Sequence, residues 1–389
     1  MKKLGVKNIF FYCLLLGFST PLFAINDSIQ KVKPQFNWQA YGDFFLAYDA
    51  NNPAGESRQP FLFNHNRHAK VDLNLGFLKM GLQHENYRAN LSVQTGTFIN
   101  DNYASDHPIL RHFQEANAGV AINKRKNLWL DAGIFASHIG FESAISAENL
   151  TLSRSLVAEQ TPYYMTGIKL NYVPNKKWTI NLALLNGWQR IRAIKGNTLP
   201  ALGTQLVYTA NKNFSANWST FIGTTFPDSI RRMRYYQNYY FQWQLNPKVL
   251  IIGGFDVGIQ QRNKNSTTYH TWFSPIFIAQ YAFNERWKMA ARAERYADMQ
   301  NIMITPTNQI GFDCNGYSLN WDYAPNPYLL FRFETRYLRS TLNVFENKGS
   351  FQNSNLLALG SLVFRIKNKL QSFKFLLPNL YKNCGHRWV

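Results

Sequence analysis

The chain has 389 residues, 16% of them aromatic and 16% charged, with a formal net charge of +20. Soluble domains carry about a quarter charged residues, so this composition argues against an ordinary soluble enzyme, and polar uncharged residues fill the gap. With no linker, low-complexity block or repeat of fixed period, one continuous β-domain fits the length better than several domains.

The first 24 residues read as an export leader. Lys2, Lys3 and Lys7 form a positive start, residues 9–18 an apolar core broken only by Tyr12 and Cys13, and Ala24 the cleavage residue. Leu22 is large for its place before the cut, which leaves the exact site open. A membrane anchor would want roughly 20 apolar residues, and no later stretch supplies them. Cys13 departs with the leader and lacks the small residue before it that a lipoprotein site would want. Cys314 and Cys384 are expected to be unpaired. No CxxC, His/Cys cluster or HExxH spacing occurs, so no metal or cofactor is implied.

From Trp38 onward the chain breaks into about sixteen segments of alternating polarity. They fall near 36–48, 69–79, 87–98, 114–123, 127–137 and 163–173, then 177–186, 201–210, 214–224, 234–245 and 249–260. The last five are near 270–282, 286–297, 315–323, 328–338 and 355–366. Leu329, Phe331, Phe333, Thr335 and Tyr337 share one face and Arg332, Glu334 and Arg336 the other. Trp178, Ile180, Leu182 and Leu184 alternate in the same way with Thr179, Asn181 and Ala183, as do Tyr317, Leu319, Trp321 and Tyr323 with Ser318, Asn320 and Asp322. Alternation alone does not tell lipid from a protein core, so the choice rests on the leader and the connections. Odd-numbered connections such as 49–68, 138–162 and 339–354 are mostly long. Even ones such as 173–177, 246–248 and 324–327 are tight and rich in Asn and Pro. These marks predict an all-β, transmembrane, antiparallel up-and-down barrel of about sixteen strands, with long extracellular loops, short periplasmic turns and both termini in the periplasm.

Leu356, Ala358, Gly360, Leu362, Phe364 and Ile366 form one face of a closing strand, and a basic tail of 23 residues follows it. The domain reading is therefore a leader at 1–24, a barrel at 25–366 and a tail at 367–389. The tail reads as a disordered appendage that masks the terminal strand from the barrel-assembly machinery; a short periplasmic extension with its own contacts is the alternative.

The runs QAYGDFFLAYDANNP (39–53), RQPFLFNHNRH (58–68), RANLSVQTGTFINDNY (88–103), LWLDAGIFASHIGFESAIS (128–146), NGWQRI (186–191), NWSTFIGT (217–224) and GYSLNWDYAP (316–325) resemble the OmpL-like β-barrel porins of Gram-negative bacteria. The resemblance covers nearly the whole mature chain. It implies an outer-membrane location and a channel, and it supplies neither catalytic residues nor a substrate.

For a pore, the segment 138–162 is the one to examine. It carries Glu142, Arg154 and Glu159 and a short helix expected near Ser146, with Glu148 in its first turn. In general porins the third loop folds inward, so these charges are expected to narrow the lumen. They would face Arg292, Glu294, Arg332, Glu334 and Arg336 on the opposite wall and set up a transverse field. Two alternatives stay open: the wall charges pair across neighbouring strands, or the loop is an outward lid.

Removing the three cations of the leader and the five of the tail lowers the net charge to +12. Arg190, Arg192, Lys195, Arg231, Arg232, Arg234, Arg262 and Lys264 lie in or beside outer loops, where they would meet lipopolysaccharide phosphates, draw anions, or form a solvated rim. An exported barrel has no call on nucleic acid. His65, His68, His107, His112 and His138 fall near outer loops without a Ser or Asp partner at a recognisable spacing, so no enzyme is expected. The reading is an outer-membrane porin passing small hydrophilic solutes, with outer-membrane lipid, lipopolysaccharide and a homotrimer as partners to test. A closed structural or adhesive barrel is the alternative, and a barrel hydrolase comes after it.

Overall fold

A computed structural model describes residues 32–368. The leader and almost all of the tail lie outside the described residues. Sixteen strands close into one antiparallel barrel. Its first half comprises β1 (Gln35–Asp49), β2 (Val71–Gln83), β3 (Tyr87–Thr95), β4 (Phe113–Ala121), β5 (Leu128–Ala136), β6 (Tyr164–Asn175), β7 (Trp178–Leu185) and β8 (Ala201–Asn211). The second half begins with β9 (Phe214–Thr224), β10 (Met233–Asn246), β11 (Val249–Gln261), β12 (Tyr269–Ala282) and β13 (Trp287–Asp298). It continues with β14 (Phe312–Asn326) and β15 (Leu329–Ser340) and ends with β18 (Ser354–Lys367). A small hairpin, β16 (Phe345–Asn347) with β17 (Ser350–Gln352), sits in the last long connection. β18 closes the barrel on β1, with Gln39 opposite Lys367 and Asp49 opposite Leu357.

The barrel is apolar outside and polar inside, the inverse of a soluble core. On β15, Phe331, Phe333 and Tyr337 are more than 40% exposed while Arg332, Glu334 and Arg336 are at most 3% exposed. Large side chains left outward at such density make sense against lipid, where each strand satisfies its backbone through its neighbours and closure leaves no edge. Aromatic residues gather at the strand ends beside the short turns: Trp178 lies 4.6 Å from Tyr208 and Trp287 stacks 4.4 Å from Tyr323. They mark the interfacial girdle.

Five of the seven short turns share one chemistry. Asn175, Asn211, Asn246, Asn284 and Asn326 each accept, on the side-chain oxygen, the backbone N–H two residues on. An Asx turn of this kind reverses the chain without a long loop, and it explains the recurrent Asn at these positions. The long connections leave from the opposite rim, and three of them carry much of their length back inside the barrel.

Candidate functional site

The segment 137–163 between β5 and β6 is the main occupant of the lumen. Its first residues attach to the neighbouring wall. His138 accepts on its carbonyl from Ser219 Oγ at 2.7 Å and Gln205 Nε2 at 3.1 Å, and its Nε2 lies 2.9 Å from the Thr220 carbonyl. The ring passes over Gly203, where an added Cβ would come within 2.6 Å of His138 Cε1. Gly140 donates its N–H to Asn238 Oδ1 at 3.1 Å. From there the chain crosses to β13–β15, which stand eight strands round a sixteen-strand barrel from β5 and β6, the diametrically opposite side.

At that wall the inward charges bind the segment's backbone. Arg292 donates to the Ser153 carbonyl and Thr151 Oγ1, both at 2.8 Å. Glu334 accepts from Ser153 N and Oγ, both at 2.6 Å, and Glu294 accepts from Leu156 N at 2.6 Å. Arg332 donates to the Ser146 carbonyl and, at 3.1 Å, to the Asn149 carbonyl, while Asn320 Oδ1 accepts from Leu152 N at 3.0 Å. Along β13 Arg292 pairs with Glu294 at 3.2 Å, and across the strands it pairs with Glu334 at 3.2 Å, Arg336 with Glu294 at 2.6 Å and Arg332 with Asp322 at 2.8 Å. All five predicted wall residues point inward and are between 0% and 5% exposed. A charge-assisted contact of this kind is strong because water is excluded, and each partner is costly to leave alone.

This arrangement corrects the expectation of charges facing each other across open lumen. Of the four loop residues, only Glu142 nears a wall cation, at 3.9 Å from Arg292, while its carboxylate accepts from Ser155 N and Oγ. Arg154 turns back on its own segment, donating to the Ser143, Leu152 and Ala144 carbonyls at 2.7–2.8 Å. Glu148 ends a single 3-10 turn (Ser146–Glu148), and burial raises its carboxyl above the usual range. The longer helix is α2 (Leu156–Gln160), with Ser155 as its N-cap. Burial likewise raises the Glu142 carboxyl, against the lowering pull of Arg292.

Glu159, on α2, binds a second inward segment instead of the wall. It accepts from Phe63 N at 2.9 Å and Asn64 Nδ2 at 3.0 Å, and Gln160 Nε2 donates to the Phe61 carbonyl at 2.9 Å. Burial pushes the Glu159 carboxyl up to about 7, partly offset by Asn64 and the Phe63 N–H. The 50–70 connection is itself pinned by His65, whose Nε2 lies 3.0 Å from Asp43, and by Gln59, which accepts from Glu346 N at 2.9 Å. Phe61 and Leu62 join Leu156, Val157, Phe312 and Phe345 in an apolar cluster shared by both segments and the wall. A third connection adds α1 (Thr97–Asn102), whose Phe98 and Ile99 are buried in a neighbouring cluster.

Two further charge pairs lie on the wall of β2–β5. Lys79 pairs with Glu115 at 2.6 Å, with 28% and 17% of the side chains exposed, and Arg88 pairs with Asp131 at 15% and 6%. From β6 to β11 a chain of amides runs head to tail around the wall. Asn171 donates to Asn181, Asn181 to Gln205, Gln205 to Asn217, Asn217 to Asn238 and Asn238 to Asp256, at 2.7–3.2 Å. Sequence reading placed none of these in the site, though each alternates with lipid-facing neighbours as Lys79 does with Leu78 and Met80. Arg234, expected at the outer rim, is also inside: it is 5% exposed, bound to Gln260, with its guanidinium 5.1 Å and 5.5 Å from the Trp188 and Trp272 rings.

Residues 35–366 match the family model described as "Putative beta-barrel porin-2, OmpL-like". The chain belongs to this porin family. No curated protein matches it. Among solved structures it is similar to an anion-selective porin from Comamonas acidovorans, at 9% identity and a TM-score of 0.58, covering 86% of this chain and all of that one. It is similar also to the outer-membrane channel DcaP of Acinetobacter baumannii, at 10% identity and a TM-score of 0.54 over 87% and 99% of the two chains. OmpT of Vibrio cholerae in a trimer form matches at 9% identity and a TM-score of 0.54, over 86% and 100%. At such identities the likeness is one of fold. Family and fold together make the protein a porin-like barrel of the outer membrane.

Proposed function

We propose that the barrel is a diffusion channel for small hydrophilic solutes, narrowed by the segment 137–163 and its partner 50–70. The docking of Ser146–Leu156 backbone groups on Arg292, Arg332, Glu294 and Glu334 carries this reading, because it holds a constricting segment across the full width of the lumen. The partly exposed pair Lys79–Glu115, with Arg88–Asp131 beside it, supplies the polar lining on the other side. Proteoliposome swelling with sugars of graded size tests it: uptake should fall steeply with solute size, and equal uptake of small and large sugars contradicts a constriction.

A second reading has its own support. The apolar cluster that joins both inward segments to the wall suits a barrel closed at rest, serving as a structural or adhesive element; absence of swelling with every solute favours it. A homotrimer is the assembly proposed, by analogy with the trimer form of Vibrio cholerae OmpT. The leader at 1–24 and the appended tail from 367 belong to the same proposal, and insertion of a chain ending at Ile366 no better than the full chain argues against a masking tail.

A further inference from the structure

A cavity of about 470 Å³ opens among three long connections, lined by Ser105–His107 between β3 and β4, by Arg190 and 192–195 between β7 and β8, and by Thr225 between β9 and β10. At about 30 Å³ of liquid volume per water, it holds roughly fifteen waters, room for a small organic anion. Three cations in the lining, Arg190, Arg192 and Lys195, stand against one acid, Asp106. Arg192 and Lys195 are exposed and, among the described residues, have no hydrogen-bond or ion-pair partner. The acid in the lining is already occupied: Asp106 accepts from Ile191 N at 2.9 Å and from the Tyr164 hydroxyl. The next acid along, Asp228, accepts from Thr198 Oγ1 at 2.6 Å and pairs with Arg231.

The backbone that carries these cations is held at both ends. Ile191 is fixed to Asp106 at one end. At the other the Gly196 carbonyl accepts from Asp228 N at 2.8 Å, and a turn is closed by Asn197 N on the Ile194 carbonyl at 3.0 Å. Arg192 and Lys195 lie between these fixed points. Arg190 donates to the Ser105 carbonyl at 3.0 Å and stitches the two connections together. With the loop held at both ends, less backbone freedom is lost on binding, and planar guanidinium beside ammonium suits phosphate oxygens.

We infer that this outer cavity is a binding site for phosphate-bearing anions, with Arg192 and Lys195 as the charge-bearing contacts. The inference goes beyond the channel reading and does not depend on conduction, because binding is measured in detergent. The probe is glucose 1-phosphate, titrated by calorimetry into the folded protein freed of lipopolysaccharide, with glucose as the uncharged control. The variant Arg192→Gln/Lys195→Gln should bind about a hundredfold more weakly, about tenfold per charge-assisted contact. The variant Arg262→Gln/Lys264→Gln removes the same charge from another exposed outer loop and should bind as the parent does. Lipopolysaccharide distinguishes the two sources of phosphate. Sugar phosphate binding that it fails to displace assigns the cavity to free solutes; lipopolysaccharide binding lost only in the first variant assigns it to lipid headgroups. Either upholds the site. Equal binding by the first variant and the parent, equal weakening in both variants, or equal binding of glucose overturns it.

Discussion

Glu334→Ala is the substitution that most sharply separates a docked constriction from a passive one. Glu334 is 0% exposed, accepts from Ser153 N and Oγ at 2.6 Å and sits 3.2 Å from Arg292. Removing it takes two contacts from the segment and leaves Arg292, itself 3% exposed, with Glu294 at 3.2 Å and Glu142 at 3.9 Å as its acidic partners. Breaking a buried pair from one side costs about 3–5 kcal/mol. At about 1.4 kcal/mol per factor of ten, the undocked segment should become roughly two to four orders of magnitude more populated. The barrel itself should persist, because the β14–β15 and β15–β18 ladders use backbone groups that the substitution does not touch. Single-channel recording should show larger or more frequently fluctuating steps, while the heat-modified band on electrophoresis keeps its mobility. Glu334→Gln retains one acceptor and should fall between the two. A variant with the parent's conductance, fluctuation and unfolding temperature would refute the claim that these contacts hold the segment.

The link between the two inward segments should respond to pH. Glu159 has a folded pKa of about 7, above the ordinary 4.5, so protons favour the docked form. That contribution is complete below about 4.5 and is lost as pH rises through 7, at most about 3 kcal/mol. Conductance should therefore be steadier at pH 5 than at pH 8, and Glu159→Gln should abolish the difference; an unchanged pH response in that variant argues against Glu159 as its source. Lys79→Glu, which puts two acids side by side with Glu115 in the water-facing lumen, should move the reversal potential in a salt gradient toward cations. An unshifted potential would place the ion path elsewhere. At Gly258 an added Cβ would overlap the indole of Trp272, a rigid side chain 1% exposed. Gly258→Ala should lower the stability of the refolded barrel by about 1–3 kcal/mol, as overpacking does, read by thermal melting; a melt like the parent's would mean that the ring moves freely.

The barrel was legible because its two signals are local. Alternation along β15 separates Phe331, Phe333 and Tyr337 from Arg332, Glu334 and Arg336 within a few residues, and the alternation of long and short connections tells a lipid-facing barrel from a soluble core. The turns were legible for the same reason, since each Asn bonds a backbone group two residues on. Direction inward was also readable for all five wall charges. Their pairing with one another was one of the alternatives left open, but their grip on the loop was not readable, because its carbonyls and N–H groups at Ser146, Asn149, Ser153 and Leu156 leave no mark in side-chain type. Arg154 and Glu159 were misplaced by a related limit: a charged residue in a loop is equally consistent with a wall, a neighbouring segment or its own turn. Arg234 looked like a rim cation beside Arg231 and Arg232, yet it sits at an inward position of β10. Counting from Tyr236 and Asn238 on the same face would have found it.

The most direct test of a constricted channel is the single-channel conductance of the refolded protein in a planar bilayer. Small, stable, stepwise openings that grow in Glu334→Ala are the predicted result. A folded, heat-modifiable barrel that stays silent both as parent and as Glu334→Ala would contradict it, and would leave a closed barrel as the better description.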